Sequence, residues 1–156
     1  MEAITPKSAR FPFTAHRDDA GVPHITASSW QEAIYALGYM HATDRPTQLY
    51  FARAVASGQA TERIADKPEL LEMDLFLRRA GLERHLKNEV TLLPDELLQQ
   101  LQWYSDGVND GFLDAGRTLP MWATGFQPLP WDPCAVLLIG NLLSFAGLSV
   151  TEQTNK

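Results

Sequence analysis

A mostly helical α+β chain is what this sequence predicts, on three observations. A hairpin pattern occupies residues 13–27, helical periodicity runs from residue 29 to 115, and a nearly all-apolar helix follows at residues 133–148. With 156 residues the chain has room for one ordinary domain. Hydrophobic residues make up 45% and charged residues 21%, so a packed core is expected over most of its length.

Residues 1–12 read as a loose lead-in. Phe13–Asp18 is an extended run, Asp19-Ala20-Gly21 a turn signal, and Val22–Ala27 a second short strand. Asp supports such a turn by bonding to nearby backbone, and Gly21 tolerates positive φ. Two strands alone are marginal in water, so another element must cover this hairpin.

Helices follow. Ser29 with Glu32 three residues on fits a capping box, and Trp30, Ile34, Leu37 and His41 recur at helical spacing. This helix is expected to end near Thr43–Arg45. Pro46 suits the first turn of the next, Thr47–Ala56, which Gly58 stops. Residues 59–68 read as loop, Glu69–Arg79 as a third helix, and Leu82–Val90 as a helical continuation. Pro94, Asp95 and Glu96 open a stronger one, because proline and acids both favour a first turn. Its apolar face steps through Leu97, Leu101, Tyr104, Val108 and Phe112. Gly107 and Gly111 beside that face cost helix propensity, which implies close packing or an early end. Residues 113–130, rich in Gly and Pro, read as a long ordered loop, which spans 116–131 once the helical region is taken through residue 115. Asp132 then caps the last helix, with Pro133 at its first position.

That last helix, Pro133–Leu148, has no polar face: Val136, Leu137, Leu138, Ile139, Leu142, Leu143 and Phe145 cover it nearly all round. Such a helix must be buried on all sides. Two readings fit. Either it is the centre of a small bundle, or a second chain covers it.

Composition excludes several functions. Thirteen Lys and Arg against nineteen Asp and Glu give a formal charge of −6, with no basic run for nucleic acid. One cysteine, Cys134, rules out an internal disulfide and a cysteine-rich zinc site. Ala135–Leu148, the longest apolar stretch, is too short to span a membrane and is interrupted by Asn141 and Ser144. The N-terminus has no basic segment followed by an apolar one, so no signal peptide is expected. The compartment stays open on this reading: cytoplasmic is expected for the chain as it stands, periplasmic or secreted if a leader was removed.

Chemistry is sparse. No glycine-rich phosphate loop or G-x-S-x-G elbow is present. Cys134, in the first turn of an apolar helix, reads as an inert buried thiol. His24 lies in an extended segment and His41 at a helix end, without a metal-like partner at i+4. His41 reads as a packed or hydrogen-bonding residue, His16 and His85 as surface residues. Asp18 and Asp19 beside Arg17 read as a charged hairpin edge. Asp44-Arg45, at a helix break, can bind loose backbone ends and lock two helices together. Glu152 can bind a hard cation only with oxygens from elsewhere.

The motifs taken together resemble the penicillin acylase family of N-terminal-nucleophile hydrolases. The resemblance rests on Arg17 through Ala27, on Ala33, on Ala36 through Arg45, and on Gln48, Arg53, Gly58, Glu62, Asp74 and Arg78. It continues with Tyr104, Gly107, Val108 and Asn109 in a Tyr-x-x-Gly-Val-Asn element. It closes with Pro128, Pro130, Trp131 and Pro133 in a Pro-x-Pro-Trp-x-Pro element. Pro46 departs from the apolar residue usual after Asp-Arg.

What the resemblance implies is the α chain of a precursor cut into a short α and a much longer β chain. The hairpin then joins a four-layer αββα fold completed by the β chain. The activity implied is amide hydrolysis by a Ser at the start of the β chain, so no residue of this chain is the nucleophile. The end of the last helix enters the acyl-binding pocket through Asn141, Leu142, Phe145 and Ala146. Glu152 occupies the place of the α-chain ligand to a calcium ion shared with the β subunit. No organic cofactor is implied. Asp44, Arg45, Gly21 and His24 carry structural roles. Phe145 and Leu142 suit an aromatic or aliphatic acyl group. No Arg or Lys lies between Pro133 and Thr151 to pair with a dicarboxylic one. The competing reading is a non-catalytic helical binding or scaffold protein of acylase ancestry.

Overall fold

The computed structural model describes residues 2–125 and 127–154, excepting the side chains of residue 2 and residues 148–154. Three short antiparallel strands come first: β1 (Glu2–Ile4), β2 (Thr14–Arg17) and β3 (Pro23–Thr26), in spatial order β1-β2-β3. The lead-in expected to be loose thus contributes an edge strand, with Ala3 opposite His16. The β2–β3 hairpin pairs Ala15 with Ile25 and His16 with His24. At its tip Asp18 Oδ1 accepts the Ala20 and Val22 N–H groups, and Gly21 adopts φ +80°, a conformation that favours glycine.

Eight helices follow among the described residues: α1 (Trp30–Asp44), α2 (Pro46–Ala56), α3 (Ala60–Arg63), α4 (Pro68–Ala80), α5 (Leu86–Thr91), α6 (Asp95–Ala115), α7 (Leu119–Thr124) and α8 (Pro133–Thr154). Ser29 caps α1 by accepting the Glu32 N–H, while the Glu32 carboxylate reaches back to the Ser28 N–H at 2.7 Å. Asp132 caps α8 through the Ala135 N–H at 2.8 Å. Two of the expected loops contain a helical turn: α3 lies within 59–68 and α7 within 116–131. The α3 turn exists because the buried Asp74 carboxylate accepts the Ala60 and Thr61 N–H groups at 2.9 and 2.8 Å. Such N-terminal donors otherwise lack partners. The last helix also runs past residue 148, to Thr154.

Packing centres on α1 against α6. The glycines of the two helices lie against each other's backbone: a Cβ on Gly38 would stand 2.2 Å from the Tyr104 carbonyl oxygen, and one on Gly107 would stand 2.0 Å from that of Tyr35. The propensity cost of glycine in α6 therefore secures close packing and not an early end. The sheet covers the other side of α1, where Ala15, Tyr35, Tyr39 and Met40 bury with Phe11, Phe13 and Ile25. Behind α1 and α6, a second cluster joins Ala42, Val108, Trp131 and Ala135, and a third joins Ala56, Leu86 and Leu138. The last two clusters hold the first half of α8.

Candidate functional site

The two halves of α8 live in different surroundings. Ala135 and Leu138 are buried at 1% and 2% exposure against α2, α5 and α6. From Gly140 on, every described residue except Leu142 is exposed, including Leu143 at 66% and Phe145 at 39%. Among the described residues of this helix, burial is therefore confined to the first half, and complete only at Pro133, Ala135 and Leu138. Leu143 and Phe145 thus face water over these two turns, with Asn141, Ser144 and small residues beside them.

The four residues expected at an acyl pocket all lie on this second half. Leu142 is half-buried and packs on the cluster of Ala56, Leu86 and Leu138. Phe145 sits against Phe76 of α4, ring centroids 5.8 Å apart. Asn141 and Ala146 are exposed. Leu142 and Phe145, three apart, thus sit on one side of the helix but meet different neighbours. Sequence reasoning missed Phe76. With Leu71 and Leu75, at 49% and 44% exposure, it extends the apolar surface onto α4. The available signal was an apolar surplus on α4 outside the stripe that buries Asp74 and Leu77.

The base of α4 is held firmly. Asp74 binds α3 as described, and Arg78 Nε donates to the Gly58 carbonyl at 2.7 Å. These anchors fix α4, the helix that carries Phe76, to α3 and to the turn after α2.

The remaining singled-out residues lie elsewhere. Asp44 pairs with Arg17 of β2, with Nη1 donating at 3.1 Å and Nη2 to the other carboxylate oxygen, so it ties the hairpin to the end of α1. Arg45 stands between α1 and α2 with an exposed side chain, its N–H donating to His41 and its carbonyl accepting from Leu49. His24 Nε2 bonds Asp18 Oδ2 at 2.9 Å, and its ring stacks on His16 at 5.2 Å. That contact, more than the Val22 N–H, holds the Asp18 carboxyl below the usual range. His41 Nδ1 meets the Tyr104 hydroxyl at 2.9 Å. Desolvation lowers the His41 pKa and raises that of Tyr104, so the neutral ring accepts and the phenol donates. Burial likewise pushes the Cys134 thiol up, away from a reactive thiolate.

Glu152 falls in the last turns of α8, and its side chain lies outside the described residues. Among the described residues no group of three or more His, Cys, Asp or Glu is placed to hold a metal ion. No described helix is long and apolar enough to cross a membrane.

Comparison with known proteins identifies the family. The penicillin amidase family model matches residues 12–155. The chain belongs to that family. It is 38% identical over 124 residues to the penicillin acylase 2 proenzyme of a Pseudomonas species, covering 78% of this chain and 16% of that protein. It is 30% identical over 161 residues to the acyl-homoserine lactone acylase QuiP of Pseudomonas syringae pv. syringae, covering 97% of this chain and 19% of that one. The chain thus spans about a sixth to a fifth of the length of these relatives. Its fold matches the thermostable penicillin G acylase of Alcaligenes faecalis with a TM-score of 0.72 at 22% identity, over 84% of this chain and 71% of that one. The mostly helical architecture with a small N-terminal antiparallel sheet is therefore an N-terminal-nucleophile hydrolase fold.

Proposed function

We propose that this chain is the α subunit of a heterodimeric acylase that hydrolyses an acyl amide, with the nucleophile on a β chain cut from the same precursor. The observation that carries the reading is the bare second half of α8 beside Phe76, in a chain whose family is that of the acylases. A partner covers this surface in the assembled enzyme, and a hydrophobic acyl group enters beside it. Leu142, Phe145, Asn141 and Ala146 belong to that contact, with Phe76 behind Phe145.

The chemistry follows the family resemblance. The Ser hydroxyl at the start of the β chain attacks the amide carbonyl, and its own α-amine takes the proton. An amine is closer to neutrality than a lysine and serves as base at ordinary pH. β-chain donors stabilise the oxyanion. The C–N bond breaks, the amine leaves with the proton, and water releases the acyl group from Ser as the free acid. The absence of Lys or Arg from Pro133 to Thr151 favours an aromatic or aliphatic acid over a dicarboxylic one.

A calcium ion between the chains belongs to the same reading, with Glu152 as the ligand from this chain. Its need for six or more oxygens then falls on the β chain. No step of the hydrolysis is routed through it.

The test is rapid-mixing hydrolysis by the purified two-chain enzyme of a chromogenic phenylacetyl amide and a medium-chain fatty acyl amide. A burst of amine equal to the enzyme concentration, followed by slower turnover, is expected for an acyl-enzyme. Absence of hydrolysis with every aromatic and aliphatic acyl amide tried sinks the proposal. Calcium is tested separately by elemental analysis of the enzyme and of its Glu152→Gln variant, which is expected to lose the ion.

A further inference from the structure

Two sequence motifs, Tyr-x-x-Gly-Val-Asn and Pro-x-Pro-Trp-x-Pro, meet at one point. Asn109 Nδ2 donates to the Trp131 carbonyl at 2.9 Å, and the Trp131 N–H donates to Asn109 Oδ1 at 2.8 Å. One side-chain amide thus satisfies both backbone groups of one residue, as a paired strand would. The Trp131 ring, 4% exposed, is fixed as well. Tyr104 meets it edge-on at 6.5 Å, and the Arg53 guanidinium lies 5.9 Å from its centroid. Arg53 Nε and Nη1 are buried without a hydrogen-bond partner among the described residues, so the ring is a principal neighbour of that cation. Asp132, the next residue, caps α8.

The clamp therefore sits at the root of α8. Apolar packing of Ala135 and Leu138 resists separation but is non-directional. Two hydrogen bonds of opposite sense are directional and fix rotation and axial register. At 1.5 Å rise per residue, Leu142 and Phe145 lie roughly 15–20 Å along the helix from Asp132. A tilt of about 5° at the root moves that end by about 1.5 Å, enough to alter how an acyl group is held.

We infer that Asn109 is a positioning residue for acyl selectivity: by clamping the Trp131 backbone to α6 it sets where Leu142 and Phe145 stand. The inference rests on the acylase reading above.

The test uses the processed two-chain enzyme. Asn109→Ala removes both bonds, and Asn109→Asp keeps the acceptor while replacing the donor with a second acceptor. The readout is the ratio of kcat/KM for a phenylacetyl amide to that for a medium-chain fatty acyl amide. Both variants are expected to shift this ratio by about threefold or more. Leu142→Ala and Phe145→Ala shift it as positive controls. Asp18→Ala, which loosens the hairpin tip in the sheet on the other side of α1, leaves it unchanged. If Asn109→Ala fails to assemble, Asn109→Asp decides. A variant that lowers the thermal midpoint and leaves the ratio within about twofold of wild type overturns the inference, since Asn109 is then only structural. If Leu142→Ala and Phe145→Ala also leave the ratio unmoved, the acyl-contact reading falls and takes the inference with it.

Discussion

The Tyr35 hydroxyl donates to Asp110 Oδ2 at 2.7 Å, linking α1 to α6 inside the core. The same hydroxyl oxygen accepts the Arg10 backbone N–H at 2.8 Å, and Arg10 Nε donates to the same carboxylate oxygen at 2.6 Å. Two helices and the segment before the hairpin thus share one polar joint. Burial, and then the bond to Asp110, raise the Tyr35 pKa far above an ordinary phenol, so the hydroxyl keeps its proton as a donor. Tyr35→Phe leaves the Arg10 N–H without this acceptor and removes a donor from Asp110. The expected cost is about 1–3 kcal/mol, read by denaturant unfolding of the two-chain enzyme. Wild-type stability in this variant contradicts the joint.

Gly107→Ala is expected to be worse. Its Cβ would stand 2.0 Å from the Tyr35 carbonyl oxygen, a backbone atom that cannot rotate away. Separating α1 from α6 opens the main core, so a loss of about 3 kcal/mol or failure to assemble is expected. A Gly107→Ala enzyme with an unchanged thermal midpoint refutes this packing.

Asp74 is buried at 3% exposure and serves two N–H groups of α3. Asp74→Ala leaves both donors bare, with an expected cost of about 2 kcal/mol or more. Asp74→Asn retains one acceptor and is milder. Because α4 carries Phe76, hydrogen exchange in α3 and α4 is expected to quicken in the alanine variant before the rest of the chain changes.

His41 gives the pH dependence a definite sign. Part of its ring faces solvent, but desolvation around it lowers its pKa, an effect only partly offset by Asp44. The unfolded chain therefore binds the proton more readily than the folded one. The stability from this site is complete above the ordinary histidine value of 6.5, and it is lost as pH falls below that value toward the folded pKa. An imidazole NMR titration is expected to place His41 below the ordinary histidine value of 6.5. A midpoint above 6.5 contradicts the assignment.

Much of the fold is legible in local chemistry. Ser29, Pro46 and Asp132 mark helix starts because capping and proline geometry act over three or four residues. The hairpin turn at Asp19-Ala20-Gly21 is legible for the same reason, but the carboxylate that closes it belongs to Asp18, which reads in sequence as the end of the strand. Elements β1, α3 and α7, with 3, 4 and 6 residues, are too short to show a period. The first is made by pairing with β2, and α3 by Asp74 reaching from α4. The site was legible in part. An all-apolar α8 announces a need for cover, but its division into a buried and a bare half depends on where α2, α5 and α6 end. Phe76 beside Phe145 and Asn109 on Trp131 are tertiary meetings across 69 and 22 residues, and no spacing rule reaches them.

Phe145→Ala bears on the surface itself. Removing the ring from its place beside Phe76 enlarges the acyl contact, so larger acyl groups are expected to gain relative to phenylacetyl by a factor of about ten. Steady-state kinetics across an acyl series reads the change. An unaltered preference order places the acyl group elsewhere.

The central claim, that this chain works as one subunit of a processed acylase, is tested most directly by intact mass and N-terminal sequencing of the purified native enzyme. A second, much longer polypeptide in equal amount, beginning with Ser, is expected. A stable monomer of 17.4 kDa alone contradicts it and gives the field to the binding or scaffold reading.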